Sequence, residues 1–307
     1  MSSLVVLSEK SENLRSLLKS FGTCLVAYSG GVDSVYLASV AHSVLGNRSL
    51  AAIADSPSLP RRELEEALAI AARFKFPVRV VRTSEFENPD YLANPTNRCY
   101  FCKHELFEVL SPIAKSEGFA VIAYGENASD LGDFRPGAQA AEEFAVRAPL
   151  KEAGLTKSEI RQLSAELGLP TADKPQMACL SSRIPYGESV TEEKLRMIET
   201  AENLLRDLEF HDVRVRHHEL RPALQLPGSN ARNGTPSGAV LHLARIEVGP
   251  SELGRFLADD TSTRVAGALK QIGYAHVTLD LQGYRRGSAN EQLQPTTASS
   301  RPANRSA

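Results

Sequence analysis

The chain has no stretch approaching the roughly 20 apolar residues that cross a bilayer. Its first residues, MSSLVVLSEK, lack both the basic region and the cleavage pattern of a secretory signal. These two absences point to a cytoplasmic protein with no membrane partner. An excess of charge is missing too, since 35 basic residues stand against 37 acidic ones for a formal charge of -2. Without a basic surplus there is no electrostatic case for nucleic acid as the main partner, and small or neutral partners are favoured. Cysteine is scarce, at four in 307 residues. That is too few for a disulfide scaffold, and in a reducing compartment spaced cysteines point to metal or redox chemistry instead.

What is present is enough chain for two cores. Apolar, β-rich runs at 23–29, 50–55, 78–81 and 120–125 alternate with helical spacing at 34–45, 61–74 and 103–117, as in Leu64, Leu68 and Ala71 or Leu106, Leu110 and Ile113. Parallel βαβ packing follows. Residues 146–150 read as an edge strand, and Thr156-Lys-Ser-Glu159 is a capping box that opens a helix ending near Gly168. The expected first domain is 1–173, α/β with a parallel sheet, followed by a connecting segment, 174–190. A helix (191–208), two strands (211–217 and 241–248), a helix (251–272) and a last strand (275–281) then predict a smaller α+β domain over 191–285. The Pro-, Gly-, Asn- and Ser-rich stretch 219–239 reads as a surface excursion, and the polar tail 286–307 as disordered.

The octet Ala27-Tyr-Ser-Gly-Gly-Val-Asp-Ser34 lies between the first strand and its helix. Ser29, Gly30 and Gly31 let the backbone turn sharply and aim N–H groups at an anion, for which phosphate is the natural occupant. Ser29 and Ser34 can donate hydroxyl hydrogen bonds, and Asp33, unsuited to direct phosphate contact, is assigned to Mg²⁺ or to orienting the loop. The Gly-Lys-Ser/Thr ending of a Walker sequence is absent. The loop resembles the PP-loop of enzymes that split ATP into AMP and pyrophosphate, an adenine nucleotide alpha hydrolase-like fold.

Cys99 and Cys102, in Asn97-Arg-Cys-Tyr-Phe-Cys102, are three residues apart, so a turn or first helical turn brings both sulfurs to one side. Cys179 lies in an aperiodic segment of the kind that often carries function. Three thiolates can ligate a 4Fe-4S cluster and leave one iron open. A Zn site with His104 as fourth ligand, a redox dithiol and packed, inert thiols are the rival readings. Cys24, in the first strand, reads as a small buried hydrophobe.

Several segments together resemble the LarE family of sulfur transferases, which help to build a nickel-pincer nucleotide cofactor. They are Tyr28-Ser-Gly-Gly-Val-Asp-Ser34, Ser56-Pro-Ser-Leu-Pro-Arg-Arg-Glu63, Asn97-Arg-Cys-Tyr-Phe-Cys102, Asp133-Phe-Arg-Pro-Gly137, Ala178-Cys-Leu-Ser-Ser-Arg-Ile-Pro-Tyr-Gly187, Arg214-Val-Arg-His-His218 and Ala244-Arg-Ile-Glu-Val248. The resemblance covers about 14–284. It implies that ATP adenylates a carboxylate of pyridinium-3,5-biscarboxylic acid mononucleotide and that sulfur then displaces AMP, first at one carboxylate and then at the other. In one branch the cysteine matching Cys179 gives up its own sulfur and becomes dehydroalanine. In the other, cysteines placed like Cys99, Cys102 and Cys179 hold a 4Fe-4S cluster whose open iron delivers sulfide, and the presence of all three favours that branch. One departure from the family is the insertion of about twenty residues between the Arg214 and Ala244 strands.

Asn127, Asp130 and Asp133 follow the fourth strand, where they can hold Mg²⁺, position substrate or simply cap the loop. Arg214 and Arg216 alternate on one strand face, a geometry suited to a phosphate, and the resemblance makes that the mononucleotide's phosphate. Ser182 and Arg183 are candidates for holding substrate or the pyrophosphate side of ATP, with Glu199 and Glu247 as weaker acidic candidates. A homo-oligomer is expected. The competing functions are a PP-loop amidotransferase or tRNA thiolase, disfavoured by the missing glutaminase domain and basic RNA surface, and a non-catalytic nucleotide-binding module.

Overall fold

The computed structural model describes residues 3–130, 136–175, 178–220 and 240–285. The expectations for Asp133, for 221–239 and for the tail 286–307 lie outside them. Two compact units divide the chain, 1–199 and 200–307.

In the first unit the order is α1 (Ser3–Phe21), β1 (Cys24–Ala27), α2 (Val32–Leu45), β2 (Ser49–Asp55), α3 (Arg61–Phe74), β3 (Val78–Arg82), α4 (Pro89–Leu92), α5 (Arg98–Glu117), β4 (Val121–Tyr124), α6 (Pro136–Glu143), α7 (Pro149–Glu152) and α8 (Lys157–Glu166). The division between units falls inside α9 (Glu192–Asp207). The four strands are parallel in the order β3-β2-β1-β4. All of β1 is buried, as a strand covered on both faces must be. Its residues alternate between two cores. Cys24 and Val26 pack with Leu14, Leu18, Val35, Leu37 and Ile160, while Leu25 and Ala27 pack with Phe107, Leu110 and Tyr124. Burying each of these large side chains stabilises the fold by about 1.5–3 kcal/mol. Cys24 is the buried hydrophobe its position predicts, its thiol pushed up to about 12 by burial.

This topology positions the site. From β1 the chain builds outward to β2 and β3, then returns to lay β4 on the other side of β1. Ligands of open parallel sheets bind where the order reverses, outside the C-terminal ends of the strands. Here that crevice is flanked by the loop after β1 and the loop after β4.

The second unit has a three-stranded sheet in the order β5-β6-β7, from β5 (Arg214–Leu220), β6 (Leu241–Glu247) and β7 (His276–Leu279). The first pair is antiparallel, the second is parallel and is connected through α10 (Thr261–Ile272).

Four local expectations are corrected. The proposed edge strand at 146–150 makes one bridge, Ala123 to Arg147, before Pro149, with no N–H to donate, opens α7. The helix expected over 251–272 is a 3₁₀ turn, Pro250–Leu257, and then α10, broken where Asp259 takes a positive φ of 51°. β5 begins three residues later than the apolar pattern suggests, because the Glu252 carboxylate accepts the His211 and Asp212 N–H groups and keeps them out of the ladder. α5 begins five residues earlier than expected, at Arg98, which puts Cys99 in its first turn and Cys102 at the start of its second. The capping box at Thr156 and Glu159 forms in full.

Candidate active site

The phosphate loop is built by two close approaches. Gly30 has φ 73°, and a Cβ there would stand 2.8 Å from the Ala67 Cβ on α3. Gly125, after β4, lies so near the start of α2 that a Cβ would meet the Ser34 nitrogen at 3.0 Å. The loop itself is held by Ser34, whose hydroxyl accepts from the Ser29 N–H at 3.1 Å and donates to the Gly31 carbonyl at 3.0 Å. Gly31 caps α2 without any side-chain hydrogen bond. The first N–H groups of a helix have no partner inside it, and they carry the positive end of the helix dipole. The arrangement is an anion cradle.

Asp33 points to a residue that the sequence pattern assigned only to a capping box. Lys157, the first residue of α8, has its ammonium 2.5 Å from Asp33 Oδ2. A cation therefore already stands at the phosphate loop. Across the crevice, Asn127 and Asp130 make hydrogen bonds within their own turn. The Asn127 side-chain Oδ1 accepts from the Ser129 N–H at 2.9 Å, and the Asp130 carboxylate accepts from the Asn127 N–H at 3.1 Å. On the other side of β1 from them, a cleft of about 390 Å³, lined by Asp55, Ser56, Pro57, Arg61, Arg82 and Thr83, opens at the ends of β2 and β3. Glu199 accepts from the Arg61 N–H at 2.5 Å and so caps α3.

The three thiols share one neighbourhood. Cys99 is exposed, while Cys102 packs beside Tyr91, Leu180, Ile184 and Ile198. Desolvation around the sulfur raises the pKa of both thiols, and the next cause at Cys99 is the charge of Cys179. At Cys102 the next cause is Glu85, followed by Cys179. Cys179 precedes a short 3₁₀ turn, Leu180–Arg183, tied to the loop after β2 through the Leu180 N–H, which donates to the Ser58 carbonyl at 2.8 Å. The expected binding residues Ser182 and Arg183 brace this turn. The Ser182 hydroxyl donates to the Cys179 carbonyl at 2.8 Å, and the buried Arg183 guanidinium reaches the carbonyls of Cys179 at 2.9 Å and Ala178 at 2.5 Å.

Two further residues were not singled out by the sequence. Arg98, directly before Cys99, is 3% exposed among these thiols, and Glu85, beside Cys102, is 2% exposed, with Oε2 making no hydrogen bond among the described residues. Their signal lay in position: a charged residue inside a cysteine motif, and an acid in the short turn 85–87 facing it. Replacing Glu85 by Gln removes the negative neighbour that disfavours the Cys102 thiolate. The Cys102 pKa should fall, so that in metal-free protein at fixed mildly alkaline pH its alkylation rate, followed peptide by peptide, should rise several-fold. An unchanged rate would mean that the carboxylate does not act on the thiol.

Among the described residues no group of three or more His, Cys, Asp or Glu side chains converges on a single metal ion. The Zn reading with His104 is not supported by this geometry, since His104 instead faces Glu108 at 3.6 Å. A four-iron cluster makes a different demand, because each thiolate binds its own iron and the sulfurs need not meet at one point.

In the second unit, Arg214 and Arg216 are both buried on β5. Arg216 pairs with Glu247 at 2.8 Å, and Arg214 stands over the Tyr284 ring at 4.8 Å while donating to the Val213 carbonyl. Among the described residues no helix is long and apolar enough to cross a membrane.

No family model matches the chain. An uncharacterized protein of Synechocystis is 43% identical over 288 residues, 94% of this chain and 99% of its own length. Pyridinium-3,5-bisthiocarboxylic acid mononucleotide synthase of Lactiplantibacillus plantarum is 32% identical over 292 residues, 94% of this chain and 97% of that one. A more distant similarity, 26% over 64% of this chain and 67% of the other, reaches a glutamine-hydrolysing GMP synthase polypeptide of Methanopyrus kandleri.

Proposed function

The chain belongs to the LarE family and is an ATP-dependent sulfur transferase, and from this premise we propose that its substrate is pyridinium-3,5-biscarboxylic acid mononucleotide. A carboxylate oxygen of that substrate attacks the α-phosphorus of ATP, pyrophosphate leaves, and an acyl-adenylate remains. Sulfur then adds to the acyl carbon and AMP departs, giving a thiocarboxylate. The second carboxylate follows the same course.

The helix N-terminus at Gly31 to Ser34 and the Lys157 ammonium are suited to holding the departing pyrophosphate. Mg²⁺, where Asp33 holds it, would neutralise phosphate charge. Arg214 and Arg216 are assigned to the phosphate of the mononucleotide, with Glu247 orienting Arg216.

The observation that carries the sulfur-transfer reading is the shared neighbourhood of Cys99, Cys102 and Cys179. A 4Fe-4S cluster, held by these three thiols, would supply an open iron as the carrier of sulfide. A second reading rests on Cys179 itself, half-buried just before the 3₁₀ turn Leu180–Arg183. In it the Cys179 thiolate attacks the acyl-adenylate, AMP leaves, and loss of the Cα proton breaks the Cβ–S bond, leaving dehydroalanine on the protein and sulfur on the product.

The test is anaerobic reconstitution followed by reaction with ATP and the biscarboxylic acid mononucleotide. About four irons per chain and repeated turnover are expected for the cluster. Iron-free protein that turns over once while Cys179 loses the elements of H₂S would decide for the sacrificial route, and no substrate-dependent pyrophosphate release at all would sink both.

A further inference from the structure

We propose that Asn94 and Arg98 form a buried clamp that positions Cys179 against the α5 thiols for sulfur transfer. The proposal rests on the sulfur-transferase reading and assigns these two residues to its second half, after adenylation.

The segment after Cys179 has little regular structure of its own, only the four-residue turn Leu180–Arg183. Backbone polar groups buried without a ladder must find partners elsewhere. Here several of them, between Ser181 and Val190, find partners on one short stretch, 91–98. Asn94 is fully buried, and its amide nitrogen donates to the carbonyls of Pro185 at 2.7 Å, Glu188 at 3.0 Å and Ile184 at 3.3 Å. Its own carbonyl accepts from the Gly187 N–H at 2.9 Å. The Tyr91 hydroxyl meets the Ser181 hydroxyl at 2.7 Å, and the Val190 N–H donates to the Leu92 carbonyl at 2.9 Å.

Arg98 closes the arrangement. One nitrogen of its guanidinium donates both to the Asn94 side-chain oxygen and, at 2.9 Å, to the Ser181 carbonyl. Arg98 immediately precedes Cys99, and Ser181 lies two residues past Cys179. A single rigid group thus spans from the α5 thiols to the third cysteine. Such a link fixes a distance in a way that loop packing alone does not. Group transfer is sensitive to distance, and a misplacement of about 1 Å can cost roughly a hundredfold in rate. The phosphate loop has its own supports at Ala67, Gly125 and Lys157, none of which belongs to the clamp.

Asn94 has φ 53°, a left-handed conformation that Asn tolerates and Gly adopts freely. Asn94→Gly therefore removes every side-chain bond that Asn94 makes, leaving only the Arg98 bond to the Ser181 carbonyl, without straining the backbone, and is the informative variant. Two measurements are made on the full chain. In rapid-mixing assays with ATP and the biscarboxylic acid mononucleotide, pyrophosphate release should stay within about twofold of wild type while thiocarboxylate formation falls about 10- to 100-fold. In metal-free protein, the yield of cross-link between Cys179 and Cys99 or Cys102 by a short bis-maleimide, quantified by peptide mass spectrometry, should drop. Arg98→Lys, which keeps a cation that can reach one of the two acceptors, should lose less in both measurements than Asn94→Gly does.

Equal loss of the two half-reactions would overturn the proposal in favour of a general stabilising role, and so would an unchanged cross-link yield. Should wild-type protein itself fail to turn over, the reading of function falls. The cross-link yield then still decides whether the clamp sets the thiol spacing.

Discussion

Cys179→Ser should release pyrophosphate from ATP when the mononucleotide is present, yet form no thiocarboxylate. The serine oxygen preserves size at a half-buried site, so the 3₁₀ turn braced by Ser182 and Arg183 should remain. What it cannot do is ligate iron as a thiolate or act as a neutral-pH nucleophile without a base beside it. Loss of a catalytic nucleophile typically costs three orders of magnitude or more, roughly, so product should fall below detection while the acyl-adenylate accumulates. Mass spectrometry of the quenched reaction, with pyrophosphate counted in parallel, separates the two halves. Thiocarboxylate formation at the wild-type rate would remove Cys179 from the chemistry under either sulfur source.

The other large effect is expected from Gly30→Ala. A left-handed conformation costs an L residue roughly 1–2 kcal/mol, and the new Cβ would lie 2.8 Å from the Ala67 Cβ, with the α3 backbone behind it. Overpacking of that kind adds about 1–3 kcal/mol. Neither neighbour is the tip of a flexible side chain, so the loop must move. A displacement that absorbs about 3 kcal/mol corresponds to roughly a hundredfold loss of ATP affinity. Isothermal titration with a non-hydrolysable ATP analogue, alongside thermal unfolding, reads affinity and stability separately. Wild-type affinity in the variant would mean that this loop is not where the triphosphate binds. Gly125→Ala, against the other side of the loop, serves as a milder companion because the contact there is 3.0 Å and no positive φ is involved.

Much of the first unit was legible because short-range patterns dictate it. A short, fully apolar run between turn signals, such as Cys24-Leu-Val-Ala27, reads as a strand covered on both faces, and Thr156 with Glu159 caps a helix wherever it packs. Where the apolar pattern failed, either a distant partner or a backbone restriction within the segment had intervened. Glu252 withdrew two N–H groups from the start of β5, and Pro149 ended a pairing that the apolar residues around it would have continued. Residues 251–272 carry enough apolar spacing for one long helix, but Asp259 in a left-handed conformation divides it.

The chemistry divides in the same way. The sequence alone determined the type of phosphate loop, the three cysteines and the family, since glycine, thiol and motif spacing are properties of neighbours along the chain. Only the tertiary structure decided which charges stand beside them. Lys157 meets Asp33 across 124 residues, Arg98 bonds to a carbonyl 83 residues away, and Glu85 comes to face Cys102. Ser182 and Arg183, read as substrate-binding groups, direct their hydrogen bonds to the turn that carries Cys179. The physical reason is that a charge or hydrogen bond acts through space, so its partner is chosen by packing and leaves no period or spacing in the sequence to be read.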